Sequence, residues 1–311
     1  MSQTYELPEF IARDPLIVRV VKAEDAVARL DERLRRSPLT QGLNARLAYH
    51  EACASRLAEG ELVHLEDLVL FDASAFDGPV SPSLSSAFHS LQIWRRAQQE
   101  PPLSLLQAAR PGEAPPEDQP HILQHAPDSD HGALTAWRGA LHQSRSLPPV
   151  LAAAAAWDAW LVLEPEPSGA WRAPLLAALV LKARQKTQNL LLPIDSGRRF
   201  AKYRRHPAHG LHDRLAGFLE WIEMAATRAA KELDSLTLAQ RLLEPALAQR
   251  RSHSRLPGLV NLLLSHPLIS APVAARSLRV SQQAGLRMLA KLDPVPRELS
   301  GRTRYRVWAI L

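Results

Sequence analysis

The segment ISAPVAARSLRVSQQAGLRMLAKL, Ile269 to Leu292, leaves little freedom in what its backbone can do. Ser270 followed by Pro272 marks a helix start. A serine hydroxyl can accept from an orphan amide of the first turn, and proline sits where no amide donor is needed. The helix expected over Pro272 to Leu278 carries Ala274 and Ala275, small enough for a second helix to cross closely. Arg279 and Val280 make the turn, with Val280 closing the gap between the helices, and Ser281 caps the second helix. On that helix Gly285, Met288, Leu289 and Leu292 share one face, and Gln282, Gln283, Leu286, Arg287 and Lys291 share the other. Arg279 stands where glycine is favoured, so it must adopt the left-handed conformation or alter the turn.

A short helix over Leu259 to Leu264, stopped by His266-Pro267, should precede this pair. Pro294 and Pro296 end the second helix. Arg297-Glu298-Leu299 and Arg304-Tyr305-Arg306-Val307-Trp308 then read as two strands around Ser300-Gly301-Arg302-Thr303. Leu299, Tyr305 and Val307 should point inward, and Arg304 and Arg306 outward. The whole pattern resembles the bacterial helix-turn-helix followed by a hairpin wing. That resemblance implies double-stranded DNA as partner, because glutamine can pair bidentately with adenine and arginine with guanine, while wing arginines hold phosphates. The residues expected to meet DNA are Arg276, Arg279, Ser281, Gln282, Gln283, Arg287, Lys291, Arg297, Arg302, Arg304 and Arg306.

Charge supports the same end of the molecule. Arg250 to Leu311 holds eleven Lys and Arg against Asp293 and Glu298, a surplus of nine in a chain of net charge +6. The other 249 residues therefore sum to −3. Neutralising phosphates is the economical use of so local a surplus.

Elsewhere the periodicity is helical and the expected class is mainly α. Helices are expected over Val18 to Leu34, Leu43 to Leu57, Glu59 to Asp72 and Leu84 to Ala97. Seven prolines between Gln98 and His131 read as a linker or insertion. Helical pattern resumes at Leu134, continues from Pro148-Pro149 through Leu163, and returns at Leu175 to Leu181, Leu211 to Ala226 and Leu236 to Leu247. The expected organisation is an N-terminal helical region 1–97, a proline-rich segment 98–131, a central helical domain 132–250 and a winged helix-turn-helix 251–311. Leu151 to Leu163 is too short to span a bilayer, and the polar stretch Met1 to Asp14 lacks a secretion signal, so a cytoplasmic protein is expected. A lone Cys53 excludes an internal disulfide. His121, His125 and His131 read as loop histidines, and no metal or cofactor is expected. Trp157, Trp160 and Trp171 read as packing residues, and Arg198, Arg199, Lys202, Arg204 and Arg205 as a second basic cluster that tracks DNA or faces solvent.

LRVSQQAGLRMLAKL and RELSGRTRYRVW resemble the winged-helix extension of many Fic-domain proteins. Over most of its length, and most strongly in ACASRLAEGELVHLEDLVL and from Arg251 onward, the chain also resembles an uncharacterised, often plasmid-borne bacterial family with a helical N-terminal region and a C-terminal helix-turn-helix. The Fic likeness implies a degenerate Fic-like body. Ser55 to Gly60 is similar to the short inhibitory motif of some Fic proteins, and Gly169 and Arg172 echo the core motif, whose histidine and asparagine are missing. His206, Pro207 and Arg214 stand at Fic offsets, but Ala208, Leu211 and His212 depart from them. Without a complete motif no enzyme is expected. The expected function is a DNA-binding regulator or plasmid-maintenance factor, as a candidate homodimer. The alternatives are an AMP transferase using His206 and a protein-binding adaptor.

Overall fold

Apolar residues at helical spacing condense into twelve α-helices among the residues that the computed structural model describes, 15–74, 76–99, 130–166, 169–206, 208–248, 255–292, 295–298 and 306–310. The N-terminal helices are α1 (Pro15–Arg36), α2 (Thr40–Ala58), α3 (Leu65–Asp72) and α4 (Pro82–Gln99). On α1 the buried stripe Ala23, Val27, Leu30 and Leu34 alternates steps of four and three, the signature of a helix with one covered face. The segment expected to be helical from Glu59 is helical only from Leu65, because Gly60 turns the chain at φ 85°.

The central helices are α5 (His131–Gln143), α6 (Pro149–Leu163), α7 (Arg172–Ala183), the single turn α8 (Ile194–Arg198) and the long α9 (Leu211–Ala248). Asp130 caps α5, accepting from the amides of Gly132 at 2.8 Å and Ala133 at 3.2 Å. Helix α6 is buried almost all round, with Trp157 stacked on Phe218 of α9 at 4.3 Å and Trp160 edge-on to Trp137 at 5.2 Å. Both Trp137 and Trp160 satisfy their indole N–H on carbonyls, of Ala156 and Gly169, at 2.9 Å. Trp157 and Trp160 are core residues, as expected, whereas Trp171 is only half-buried.

Two helices expected in the region 211–247 are one helix of 38 residues. Ala229 and Leu233 carry the buried stripe across the expected break, and no Pro or Gly lies between Ala226 and Leu236 to interrupt it. This α9 lies along α1. Helix α8 crosses it at Gly197, where a Cβ would stand 2.4 Å from the Ala225 nitrogen and 2.5 Å from the Trp221 oxygen. No side chain fits there.

Buried side chains from α1 to α9 and from the C-terminal residues Leu259, Leu263, Ile269 and Trp308 form one continuous cluster. Most of the proline-rich stretch, with His121 and His125, lies outside the described residues; His131 is exposed at the start of α5. Among the described residues no helix is long and apolar enough to cross a membrane.

Candidate nucleic-acid interface

Three helices and a small sheet build the C-terminal unit: α10 (Leu256–Ser265), β1 (Ile269–Ser270), α11 (Ala271–Leu278), α12 (Gln282–Ala290), β2 (Arg297–Glu298) and β3 (Val307–Ala309). The strands are antiparallel in the order β1-β3-β2, pairing Ile269 with Trp308, Ser270 with Val307, Arg297 with Ala309 and Glu298 with Trp308. The expected strand pair is present. Strand β1 was not foreseen, since two residues are too few to show alternation.

Ser270 serves twice, ending β1 and capping α11 by accepting from the Val273 amide at 3.3 Å. Ser281 caps α12 in the same way, accepting from Ala284 at 3.2 Å. Between them Arg279 takes φ 55°, ψ 51°, the left-handed conformation that the turn demands. The Val280 amide then returns to the Ala275 carbonyl at 2.9 Å, closing the helix end. Helices α11 and α12 meet where Gly285 faces α11. A Cβ there would lie 3.5 Å from the Ala271 oxygen and 3.6 Å from the Ala274 Cβ, so small residues on both sides set the approach.

This packing turns Gly285, Leu289 and Leu292 inward and leaves Gln282, Gln283, Leu286, Arg287 and Lys291 exposed on the outer side of α12. Arg276 and Arg279 are exposed beside them, at the end of α11 and in the turn. Arg297 on β2 is also exposed. Arg306 precedes β3 and stands 3.5 Å from Glu298, so part of the wing's charge is already balanced. Arg302 and Arg304, together with Leu299 and Tyr305, lie outside the described residues. Val307 is buried, as expected.

Sequence reasoning missed how this unit is held. Arg46 of α2 is 2% exposed and pairs with Glu232 of α9. Its Nη1 donates to the carbonyls of Leu263 at 3.1 Å and His266 at 2.6 Å, and its Nη2 to that of Ile310 at 3.3 Å. One guanidinium thus ties α2, α9, the end of α10 and the residue after β3. Beside it the His266 ring lies 5.8 Å from that of Tyr49, whose hydroxyl donates to Asp72, which Arg95 grips through two hydrogen bonds of 2.8 Å. Burial lowers the pKa of His266. The available signal was an arginine on the apolar face of α2, between Leu43 and Leu47.

The residues that resembled a transferase lie elsewhere. His206 is exposed, and its Nδ1 accepts from the Ala208 amide at 3.2 Å. Arg214 is engaged by buried Asp158, with Nε–Oδ1 at 2.6 Å and Nη2–Oδ2 at 2.9 Å. Arg172 pairs with Glu166 at 3.2 Å. Ser55 to Gly60 does approach the segment around Gly169: Ala58, Glu59, Ala170 and Trp171 share a cleft, and the Arg56 guanidinium lies 5.5 Å over the Trp171 ring.

Residues 125–248 match a family model described as "Protein of unknown function (DUF1612)". Residues 256–311 match one described as "HTH DNA binding domain", so the C-terminal unit is a helix-turn-helix DNA-binding domain by sequence as well as by geometry. A protein of Sinorhizobium fredii, named "Uncharacterized protein y4cF", is 30% identical over 381 aligned positions that cover 99% of this chain and 100% of that protein.

Proposed function

The chain belongs to the family of that Sinorhizobium fredii protein, a DUF1612 body with a C-terminal helix-turn-helix DNA-binding domain, and from this premise we propose that it is a sequence-reading DNA-binding regulator. The observation that carries the reading is the outer face of α12. Gln282, Gln283, Arg287 and Lys291 are all exposed there, on a helix whose inner face is fixed against α11. Such a helix can enter a major groove and present amide and guanidinium groups to base edges. Arg276, Arg279 and Arg297 flank it and supply phosphate contacts. The chain acts in the cytoplasm as a transcriptional regulator or plasmid-maintenance factor and carries out no catalysis. A homodimer would match the two halves of a palindromic site.

Fluorescence anisotropy with random genomic duplexes across a salt series tests the reading. Binding should weaken linearly in the logarithm of salt concentration, and Arg287→Ala and Arg304→Ala should each weaken it. Loss of a phosphate contact lowers the slope by about one. Absent binding at low salt, or binding indifferent to both substitutions, overturns it.

A further inference from the structure

The second basic cluster faces a cavity rather than a flat surface. Arg198, Arg199 and Arg204 line an open chamber of about 280 Å³ against Ala54 and Ala58 of α2. A second chamber of about 100 Å³, walled by Trp157, Trp171 and Trp221, shares Ala58, Asp195 and Arg198 with the first. We propose that this double cleft binds a small phosphorylated ligand, its anionic group held by Arg198, Arg199 and Arg204 and the attached group directed towards the half-buried Trp171.

The charge is unbalanced in the required sense. Among the described residues no carboxylate lies within ion-pair distance of Arg198, Arg199, Arg204 or Arg205. Arg204 spends its Nη1 on the carbonyls of Ala201 at 2.6 Å and Tyr203 at 2.9 Å. Arg205 Nε, in the wall of the second chamber, is buried without an acceptor, and Asp195 Oδ1 is buried without a donor. Buried guanidinium N–H groups left unmet are costly, and an anion's oxygens are what they lack. On the acidic side, Glu59 is engaged by Arg56 at 2.8 Å, and Asp195 lines both chambers, close enough to Arg198 to feel its charge. Arg198, Arg199, Arg204 and Arg205 outnumber Glu59 and Asp195 in the lining, which leaves the cleft net positive.

The cleft is also pre-arranged. The Arg198 guanidinium lies 4.9 Å over the Trp221 ring and that of Arg205 5.9 Å over Trp157, which fixes their direction without consuming their donors. Arg198 rides on α8, whose first amides, Asp195 and Ser196, donate to buried Glu51 of α2 at 2.9 and 2.8 Å. A DNA duplex is convex and cannot enter chambers of this size, whereas a phosphate with an attached ring can. The cleft lies at Ala54–Ala58, roughly 15 Å along α2 from Arg46 at a rise of 1.5 Å per residue.

Calorimetric titration of the full chain with ADP, and with adenosine as the uncharged control, tests the site. Saturable ADP binding is expected, at least about tenfold tighter than adenosine, with about tenfold loss in Arg198→Gln. Arg199→Gln, at an exposed position, should weaken ADP similarly while leaving helicity unchanged, which covers the case in which Arg198→Gln fails to fold. Four results overturn the proposal: no saturation by millimolar ADP, equal affinity for adenosine, ADP affinity unchanged in the folded variants, or loss of ADP binding on Arg287→Ala instead. In the first case, a lowered salt slope for random duplexes in Arg199→Gln would assign the cluster to the DNA backbone. Failure here leaves duplex binding by α12 untouched, since that is read in a separate titration.

Discussion

Arg46 and Glu232 are joined beneath the DNA-binding unit, with Nε 2.7 Å and Nη2 2.6 Å from the same carboxylate oxygen. The arginine also holds the carbonyls of Leu263, His266 and Ile310. Arg46→Met would keep the apolar stem and strand the carboxylate and all three carbonyls. The expected cost is about 3 kcal/mol, the lower end for breaking a buried pair because the Glu232 side chain is 24% exposed. Urea denaturation should show the lower midpoint. Arg276→Ala, at an exposed position, should stay within about 0.5 kcal/mol.

Arg279 holds a left-handed backbone at φ 55° that a side chain adopts only at a cost. Arg279→Gly should raise stability by about 1 kcal/mol, measured as a higher Tm. The same substitution removes a cation from the outer face, so duplex affinity should fall as Tm rises. A fall in both would mean that the side chain supports the turn.

The contact between α11 and α12 makes a graded prediction. At Gly285 a Cβ meets its neighbours at ordinary contact distance, so Gly285→Ala should be neutral or gain up to about 1 kcal/mol from helix propensity. Gly285→Leu must push α12 away from Ala271 and Ala274, abolishing DNA binding while the helices of the body remain by circular dichroism. Gly197→Ala has no such latitude. Its Cβ would collide with the backbone of α9, and about 3 kcal/mol or more should be lost on denaturation.

Glu51 and Asp195 share a buried site. Burial, then the Asp195 charge, pushes Glu51 up to about 8, and burial raises Asp195 to about 6. Both folded values exceed the unfolded ones, so their contribution is complete below about pH 4 and is lost as pH rises through 6 to 8. His50 acts oppositely. Burial lowers it to about 4, so its contribution is complete above 6.5 and is lost as pH falls towards 4. Asp195→Asn removes one acid and the repulsion on the other. Its Tm advantage over the parent chain should therefore grow from pH 5 to pH 8. An advantage independent of pH would contradict the assignment.

Local chemistry was legible in the sequence. Ser270, Ser281 and Arg279 declare the caps and the strained turn because each acts on neighbours within a few residues. Strand β1 was not, since its partner Trp308 stands at the far end of the unit. Arg46 finds Glu232 186 positions away and Ile310 264 positions away, and nothing around it in the chain records either. The cleft likewise assembles Ala54–Ala58, the region of Trp157 and Trp171, Asp195–Arg205 and Trp221, four stretches that show only separate clusters of basic and aromatic residues. The stripes Leu211 to Ala226 and Leu236 to Leu247 are joined into one helix by the buried Ala229 and Leu233, whose partners lie on other elements.

The seating of α10 on α2 has a practical meaning for anyone dividing this chain. Helix α10 packs against α2 and α9 as well as against α11 and α12, and in that setting its Leu259 and Leu263 are 0% and 1% exposed. A fragment begun at Leu256 would bare the side of α10 that α2 and α9 cover and draw copies of itself together, so its behaviour would report on clumping before it reported on base sequence. The reader and the body are better handled as a single casting than as parts to be exchanged.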